Sequence, residues 1–150
     1  MAKIEASTTI ERPSDEVWRF MTDVTKLPQW IPGLLEGKLT SEGPLGVGST
    51  LQVKNSGRPN QIVFRVMEYE PGRKSTMEVT FPHMMSGSRE TFALENAEGR
   101  TKVNLTLDLK LNGLYPLVGP FIVRSMRKEG ETEVGNLKRI VESGNKVAFE

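Results

Sequence analysis

The 150-residue chain contains no cysteine, which excludes disulfide bonds, thiolate catalysis and cysteine-based zinc sites. Its single histidine, His83, has no clustered carboxylates beside it, so neither a metal nor another cofactor is expected. An excess of one charge is lacking as well, because 20 Lys and Arg stand against 19 Asp and Glu. Nucleic-acid binding needs a basic excess or a basic stripe, so no nucleic-acid partner is expected.

Long apolar runs are also missing. No segment of about 18 consecutive apolar residues occurs, so a membrane-spanning helix is not expected. The first ten residues alternate and are too polar for the apolar core of a secretory signal. Neither a Gly-x-Ser-x-Gly nucleophile turn nor a Gly-x-x-x-x-Gly-Lys phosphate loop is present. These absences favour a cytoplasmic protein, and the length is sufficient for one domain over residues 1–150.

The sequence pattern predicts a strand at the beginning of the chain, followed by two short helices. Alternation of period two indicates a strand over residues 4–10, which Pro13 ends. A short helix is predicted over residues 14–22, and a second helical turn follows it, interrupted by Pro28 and Pro32. Glycine- and proline-rich turns then separate six further strands. These are predicted over Glu36–Ser41, Ser49–Asn55, Gln61–Glu70, Ser75–Pro82, Arg89–Asn96 and Thr101–Leu111.

The last part of the chain changes to a helical period. Its apolar stripe predicts a helix over residues 120–143 that begins at Pro120 and stops at Gly144. At about 1.5 Å per residue this helix would be about 36 Å long, enough to cross a small domain. Gly130 and Gly135 each weaken it by about 1 kcal/mol relative to alanine. Either the chain tolerates this local cost, or the small residues leave room for a bend or a ligand.

The order of elements predicts an α+β fold. Consecutive strands joined by tight turns favour one antiparallel sheet, and seven strands at about 4.8 Å spacing spread over about 30 Å. A single helix is only about 10 Å across, so the sheet has to curl around it. We therefore expect a curved seven-stranded sheet around the C-terminal helix, two short helices after the first strand, and a hollow interior.

Several short motifs occur in a fixed order along the chain. They are Ile10–Pro13, Glu16–Trp18, Asp23, Trp30–Pro32, Gly43-Pro44 with Gly46–Gly48, Glu68–Gly72, Gly99–Val103 and Leu137–Glu142. In this order the sequence resembles the polyketide cyclase/dehydrase-like branch of the helix-grip (SRPBCC) superfamily, which includes birch-pollen-type allergens, lipid-transfer START domains and coenzyme Q-binding proteins. The resemblance covers essentially the whole chain and implies a deep, mostly apolar cavity between the sheet and the long helix. It implies no single activity, because members include enzymes, carriers and regulators.

Strand alternation and the helical stripe predict which side chains face this cavity. The predicted ligand contacts are Trp30, Leu51, Val53, Phe64, Val66, Met77, Val79, Phe81, His83, Glu90, Phe92, Leu94, Leu105, Leu107, Leu117, Phe121, Ile122 and Met126. Met84 and Met85 follow at the hairpin turn, and methionine adapts to variable apolar ligands as well as filling gaps in a core.

His83 and Glu90 are the polar residues among these contacts. They flank the turn at Ser86-Gly87 and are predicted to face one another across a hairpin. A histidine beside a carboxylate can act as a general base. The simpler interpretation is a hydrated structural pair at the rim of the cavity.

The scarcity of polar groups on the inward faces favours binding over catalysis. The leading interpretation is a carrier or sensor that holds a small apolar molecule of lipid, polyketide or aromatic type. The alternative is a polyketide cyclase, dehydratase or aromatase that uses His83, Glu90 and Tyr115. A third interpretation is a module that binds a protein partner. We expect a monomer or a weak homodimer.

Overall fold

The computed structural model describes residues 2–57, 59–113 and 119–148, with side chains up to residue 143. Within these residues seven strands, three α-helices and two 3-10 turns follow one another. They are β1 (Ala2–Ile10), α1 (Ser14–Met21), a 3-10 turn (Val24–Lys26), α2 (Leu27–Trp30), β2 (Leu34–Leu39), β3 (Thr50–Asn55), β4 (Gln61–Glu70), β5 (Lys74–Phe81), a second 3-10 turn (His83–Met85), β6 (Arg89–Ala97), β7 (Arg100–Leu109) and α3 (Gly119–Ala148).

The strands form one antiparallel sheet in the order β1-β7-β6-β5-β4-β3-β2. β2 to β7 form the predicted meander, and β1 adds to its far edge beside β7, where Ile4 lies opposite Leu107. The sheet curls around the long C-terminal helix as a half-barrel, so the predicted helix-grip architecture is confirmed.

The element bounds follow the sequence pattern closely, with one clear exception at the C-terminus. Strand ends differ from the predicted ones by at most two residues. Helix α3, however, continues past the predicted stop at Gly144 to Ala148. A glycine costs a helix about 1 kcal/mol but still supplies its backbone hydrogen bonds, so the helix can continue through it.

The C-terminal part of α3 is fixed to the end of β1 by one carboxylate. The backbone N–H of Glu11 donates to Glu142 Oε2 at 2.9 Å, and Lys138 Nζ donates to the same oxygen at 2.6 Å. Lys138 also donates to the carbonyl of Thr9, while Arg12 Nη2 donates to the carbonyl of Glu142, each at 2.7 Å. The hydrogen bonds that Lys138 and then Glu11 donate to this carboxylate lower the pKa of Glu142. The helix is thereby held over the β1 edge of the sheet.

The interior has a solid part and a hollow part. The solid part is the main hydrophobic core, where the C-terminal part of α3 packs against α1, α2 and the ends of β1, β6 and β7. Its buried members are Ile10, Val17, Trp18, Met21, Trp30, Phe92, Leu94, Val103, Leu105, Val134, Leu137 and Val141. The hollow part lies under the N-terminal part of α3, which passes over β1 and β7, and β3 to β5 form its far wall. A smaller buried cluster of Val79, Met85 and Leu109 packs beside this space.

Candidate functional site

A cavity of about 730 Å³ lies between the N-terminal part of α3 and the inner face of the sheet. Every strand contributes to its wall, α1, α2 and the segment after α2 close one end, and the 3-10 turn His83–Met85 lies at another. Cavities that hold small molecules usually measure about 300–1,000 Å³, so this one is large enough for a ligand.

Most of the predicted contact residues lie on this wall. Their roles as ligand contacts remain a prediction, but the structure brings them together around one space. The residues placed there are Trp30, Leu51, Val53, Phe64, Met77, Val79, Glu90, Phe92, Leu105, Leu107, Ile122 and Met126.

Three predicted residues lie elsewhere for reasons of packing. Val66 and Leu94 are buried but do not line the cavity, and Leu94 belongs to the main core. Phe121 is 76% exposed, because it shares a helix face with Arg124 and Lys128, which are exposed too. Ile122, one residue or about 100° further round the helix, takes the inward position instead.

Phe81 and His83 are on the outside, which corrects the predicted alternation at the end of β5. Phe64 pairs with Val79, whereas Val63 pairs with Phe81, so Thr80 is an extra residue in β5. Such a bulge changes which face the following side chains occupy. Phe81 therefore lies opposite an outward residue and is 51% exposed.

The predicted pair of His83 and Glu90 does not form. His83 begins the 3-10 turn with an exposed side chain, and its carbonyl accepts a hydrogen bond from Asn112 Nδ2 at 2.8 Å. Glu90 lies in the middle of the sheet and lines the cavity. Two other predicted residues, Tyr115 and Leu117, lie outside the described residues.

A second carboxyl group, that of Glu133, lines the same cavity close enough to Glu90 for the two charges to interact. Glu90 is on β6 between Met77 of β5 and Leu107 of β7, and all three line the cavity. Glu133 is on α3, which lies over the sheet, and its neighbour one turn earlier, Glu129, also lines the cavity. Both Glu90 and Glu133 are half-buried, and the surface they leave uncovered is directed to the cavity.

The apolar surroundings make ionisation of these carboxyl groups unfavourable. Burial raises the pKa of Glu90 from 4.5 to about 7. Burial also raises the pKa of Glu133 well above its ordinary value, and the negative charges of Glu90 and then Glu129 raise it further. The cavity thus contains two carboxyl groups with raised pKa values, and that of Glu90 is close to neutrality.

Glu133 was not predicted from the sequence, although a signal for it exists. It stands seven residues after Met126 and four before Leu137, which are both inward residues of α3. That spacing places it on the apolar stripe. A glutamate on such a stripe is easily assigned to solvent, because most charged residues of an amphipathic helix are exposed.

Trp30 lines the same cavity and has an unsatisfied polar atom. Its carbonyl accepts from Asn136 Nδ2 at 3.1 Å, and its ring meets Phe92 edge-on at 5.8 Å between centroids. The side chain is 1% exposed and lines the cavity, yet its Nε1 is buried without a hydrogen-bond partner in the described structure. Buried N–H groups normally have an acceptor, so this donor is free for one.

No group of three or more His, Asp and Glu side chains in the described part of the chain is arranged to hold a metal ion. The described helices include none that is long and apolar enough to cross a membrane.

The fold and the cavity together define a helix-grip protein with an internal binding space. The chain belongs to the family described as "Polyketide cyclase / dehydrase and lipid transport", whose model matches residues 1–142. No curated protein sequence matches the chain.

Solved structures of the same fold are distant in sequence. The di-domain ARO/CYC BexL from the BE-7585A biosynthetic pathway superposes with a TM-score of 0.78 at 19% identity, over 97% of this chain and 48% of BexL. The chain therefore spans about half of that protein. The ZhuI aromatase/cyclase from Streptomyces sp. R1128 superposes with a TM-score of 0.79 at 16% identity, over 98% of this chain and 97% of ZhuI. The Aha1 dimer from Colwellia psychrerythraea superposes with a TM-score of 0.70 at 18% identity, over 96% of this chain and 98% of the Aha1 chain. At these identities the likeness shows the fold alone.

Proposed function

We propose that the chain binds a small, largely apolar molecule of lipid, polyketide or aromatic type in its cavity, as a carrier or sensor. The observation that carries this proposal is the cavity of about 730 Å³ with mostly apolar walls. Removing apolar ligand surface from water contributes about 25 cal/mol per Å², so a ligand that fills such a space gains several kcal/mol from burial alone.

The wall is also suited to ligands of more than one shape. Met77, Met84, Met85 and Met126 all line the cavity. Methionine is unbranched and polarisable, so it adjusts to irregular apolar surfaces at little cost. This is the property expected of a carrier with variable cargo.

Native mass spectrometry of protein purified from its own host tests the proposal. We expect a co-purifying apolar compound in wild type and its loss in Leu107→Trp, which places a larger ring in the cavity. Thr106→Trp, one residue away on the other face of β7, is the matched control and should keep the compound. Repeated absence of any compound from wild type, together with no binding of added apolar probes, would contradict the proposal.

A second candidate function is acid–base catalysis on a polyketide-type substrate, as in a cyclase or dehydratase. Its support is the position of Glu90 and Glu133 on one cavity wall, with the pKa of Glu90 raised to about 7. Two carboxyl groups in different protonation states can supply a general acid and a general base. His83 is not part of this candidate, because its side chain is exposed outside the cavity wall.

Turnover of a model poly-β-ketone by wild type, Glu90→Gln and Glu133→Gln tests the second candidate. A fall of about 100-fold or more in kcat for either variant, with binding retained, is expected of an acid or base. Equal rates in all three proteins would remove both carboxyl groups from catalysis.

A further inference from the structure

The wall of the cavity is mostly apolar, yet its ionisable side chains among the described residues are all acidic. Among the described residues of its wall, the charged ones are Glu90, Glu129 and Glu133, and no Lys, Arg or His lines it. The elements packed around the pair, β5, β7, α1 and α2, contribute no charged side chain to this wall. A cavity built only for neutral apolar cargo would not need inward carboxyl groups from both the sheet and the helix.

The pair is without a partner of its own. No hydrogen bond or ion pair from the described residues involves the carboxyl group of Glu90 or Glu133. An isolated carboxylate in apolar surroundings is strongly disfavoured, so each group has either to hold a proton or to meet a cation. The unpaired N–H of Trp30, buried on the same wall, is a second polar group that lacks a partner.

These groups are neighbours in the fold. Trp30 packs against Phe92, which stands two residues after Glu90 on the same face of β6. Asn136, one helical turn after Glu133, donates to the carbonyl of Trp30. The two carboxyl groups and the indole N–H therefore belong to one end of the cavity, where it meets the main core, and most of the remaining wall is apolar.

We propose that the ligand of this cavity is an amphipathic cation, with an apolar body and a protonated amine that binds between Glu90 and Glu133. The proposal rests on the binding function proposed above and narrows its ligand class. An ammonium group has three N–H donors and no acceptor, which suits two carboxyl groups that lack donors of their own. An acceptor oxygen next to the amine would satisfy the N–H of Trp30.

An organic amine fits better than a metal ion. A divalent ion needs six or more oxygen ligands, or a compact set of three or four protein ligands, whereas this wall offers few oxygens. An ammonium ion attached to an apolar body enters with its own hydrophobic driving force, and the surrounding apolar wall then strengthens the charge pairing.

Three probes with the same ten-carbon chain test the inference by isothermal titration calorimetry: decylamine, decan-1-ol and decanoate. At pH 8 we expect wild type to bind decylamine at least about 10-fold more tightly than decan-1-ol, with decanoate weakest. Lowering the pH to 5 should reduce this preference, because Glu90, whose pKa is about 7, then holds a proton. Burial also raises the pKa of Glu133, which favours its neutral form in the same direction.

Charge-removing variants locate the effect. In the double variant Glu90→Gln with Glu133→Gln, decylamine and decan-1-ol should bind within about 3-fold of each other, while affinity for decan-1-ol stays close to that of wild type. Glu131→Gln removes one charge from the exposed face of α3, two residues from Glu133, and should keep the preference for the amine.

The outcomes separate this inference from the function on which it rests. Equal binding of amine and alcohol by wild type, or a preference that survives in the double variant, would overturn the cationic ligand and leave apolar binding intact. Tighter binding of decanoate would do the same. Failure of all three probes to bind wild type would count against the binding function itself. The comparison of probes on wild type needs no variant to fold.

Discussion

At the scale of single residues, Glu90 and Glu133 are the least expected feature of the interior. Apart from Glu129, the other inward positions around them on β5, β6, β7 and α3 are apolar or small. A carboxyl group at such a position costs stability unless it is neutralised, and no cation among the described residues does so. The positions are therefore better explained by what enters the cavity than by the stability of the fold.

The cost of this pair should be visible in the pH dependence of stability. Since the pKa of Glu90 rises from 4.5 to about 7 on folding, the folded state holds a proton that the unfolded state has released between these values. The free energy of unfolding should therefore fall as pH rises from about 4.5 to about 7, and level off as far as this group is concerned. Glu133, whose pKa is also raised by burial, contributes a decline of the same sign.

Urea unfolding at pH 5 and pH 8 measures this effect. Glu90→Gln should be more stable than wild type at pH 8 and lose less stability between the two pH values. Glu131→Gln, on the exposed face of α3, should follow wild type. A wild-type protein that is more stable at pH 8 than at pH 5, with no change of slope in Glu90→Gln, would show that burial does not raise this pKa.

Sequence patterns were a good guide to residues in regular strands and a poor one at irregularities. Glu90 was predicted to face inward because β6 is regular, and it does. Phe81 and His83 were misplaced because the bulge at Thr80 depends on pairing with β4, which a single strand's sequence does not reveal. Glu133 was not predicted because charged helix residues normally face solvent, although its spacing from Met126 places it on the inward stripe.

At the scale of elements, the short segment between α1 and β2 is fixed by close packing against β2. A side chain on Gly37 of β2 would begin 3.0 Å from the backbone oxygen of Val24 and 3.0 Å from Leu27 Cδ1. The glycine thus lets the 3-10 turn and α2 lie directly on the strand. Because α2 carries Trp30, this contact also positions one end of the cavity.

Gly37→Ala is expected to destabilise the protein by about 1–3 kcal/mol, because the backbone of Val24 has to move to make room. Gly135→Ala is the matched control in α3. Nothing lies within 4 Å of its added Cβ, so the better helix propensity should stabilise the protein by about 1 kcal/mol. Urea unfolding of both variants measures the difference. Equal stability of Gly37→Ala and wild type would show that this contact is not tight.

The surroundings of Gly130 explain in part why a glycine stands in the interior of α3. It is buried, lines the cavity, and lies where α3 passes closest to the sheet, with an added Cβ 3.5 Å from Leu105 Cδ2 and 3.7 Å from Ala6 Cβ. Alanine would fit there in ordinary contact. The close approach of helix and sheet accounts for the small residue at this point. The residue spacing within α3 alone does not reveal this approach.

At the scale of the whole molecule, the architecture follows from the order of elements, and the cavity follows from geometry. A sheet of seven strands is wider than one helix can cover, so its unfilled part becomes a space. The boundary between this space and the packed core could not be predicted from the sequence. The main core fills the part of the interior nearest α1 and the C-terminal half of α3, and the cavity takes the rest.

This division predicts unequal local stability. Strands β1, β6 and β7 contribute to the main core, and β1 and β7 also contact α3. Strands β3, β4 and β5 face the cavity, and their buried residues contribute only to the smaller cluster around Val79 or to none. Regions with fewer buried apolar contacts open at lower free energy. Without ligand, hydrogen exchange should therefore be slowest in β1, β7 and the buried turns of α3 around Leu137, and faster in β3 to β5.

A bound apolar probe should change this pattern selectively. When decan-1-ol fills the cavity, mass-spectrometric hydrogen exchange should slow most in β3 to β5 and less in β1 and β7, because β1 and β7 already pack in the main core or against α3 without a probe. At a probe concentration 100 times its Kd, the stabilisation available is about 2.7 kcal/mol, equal to about 100-fold slower exchange where opening requires ligand release. Leu107→Trp, with the cavity partly filled by its own side chain, should show part of this protection without any probe. Uniform slowing along the whole chain would mean that the sheet opens as one unit and that the solid and hollow parts are not separate in stability.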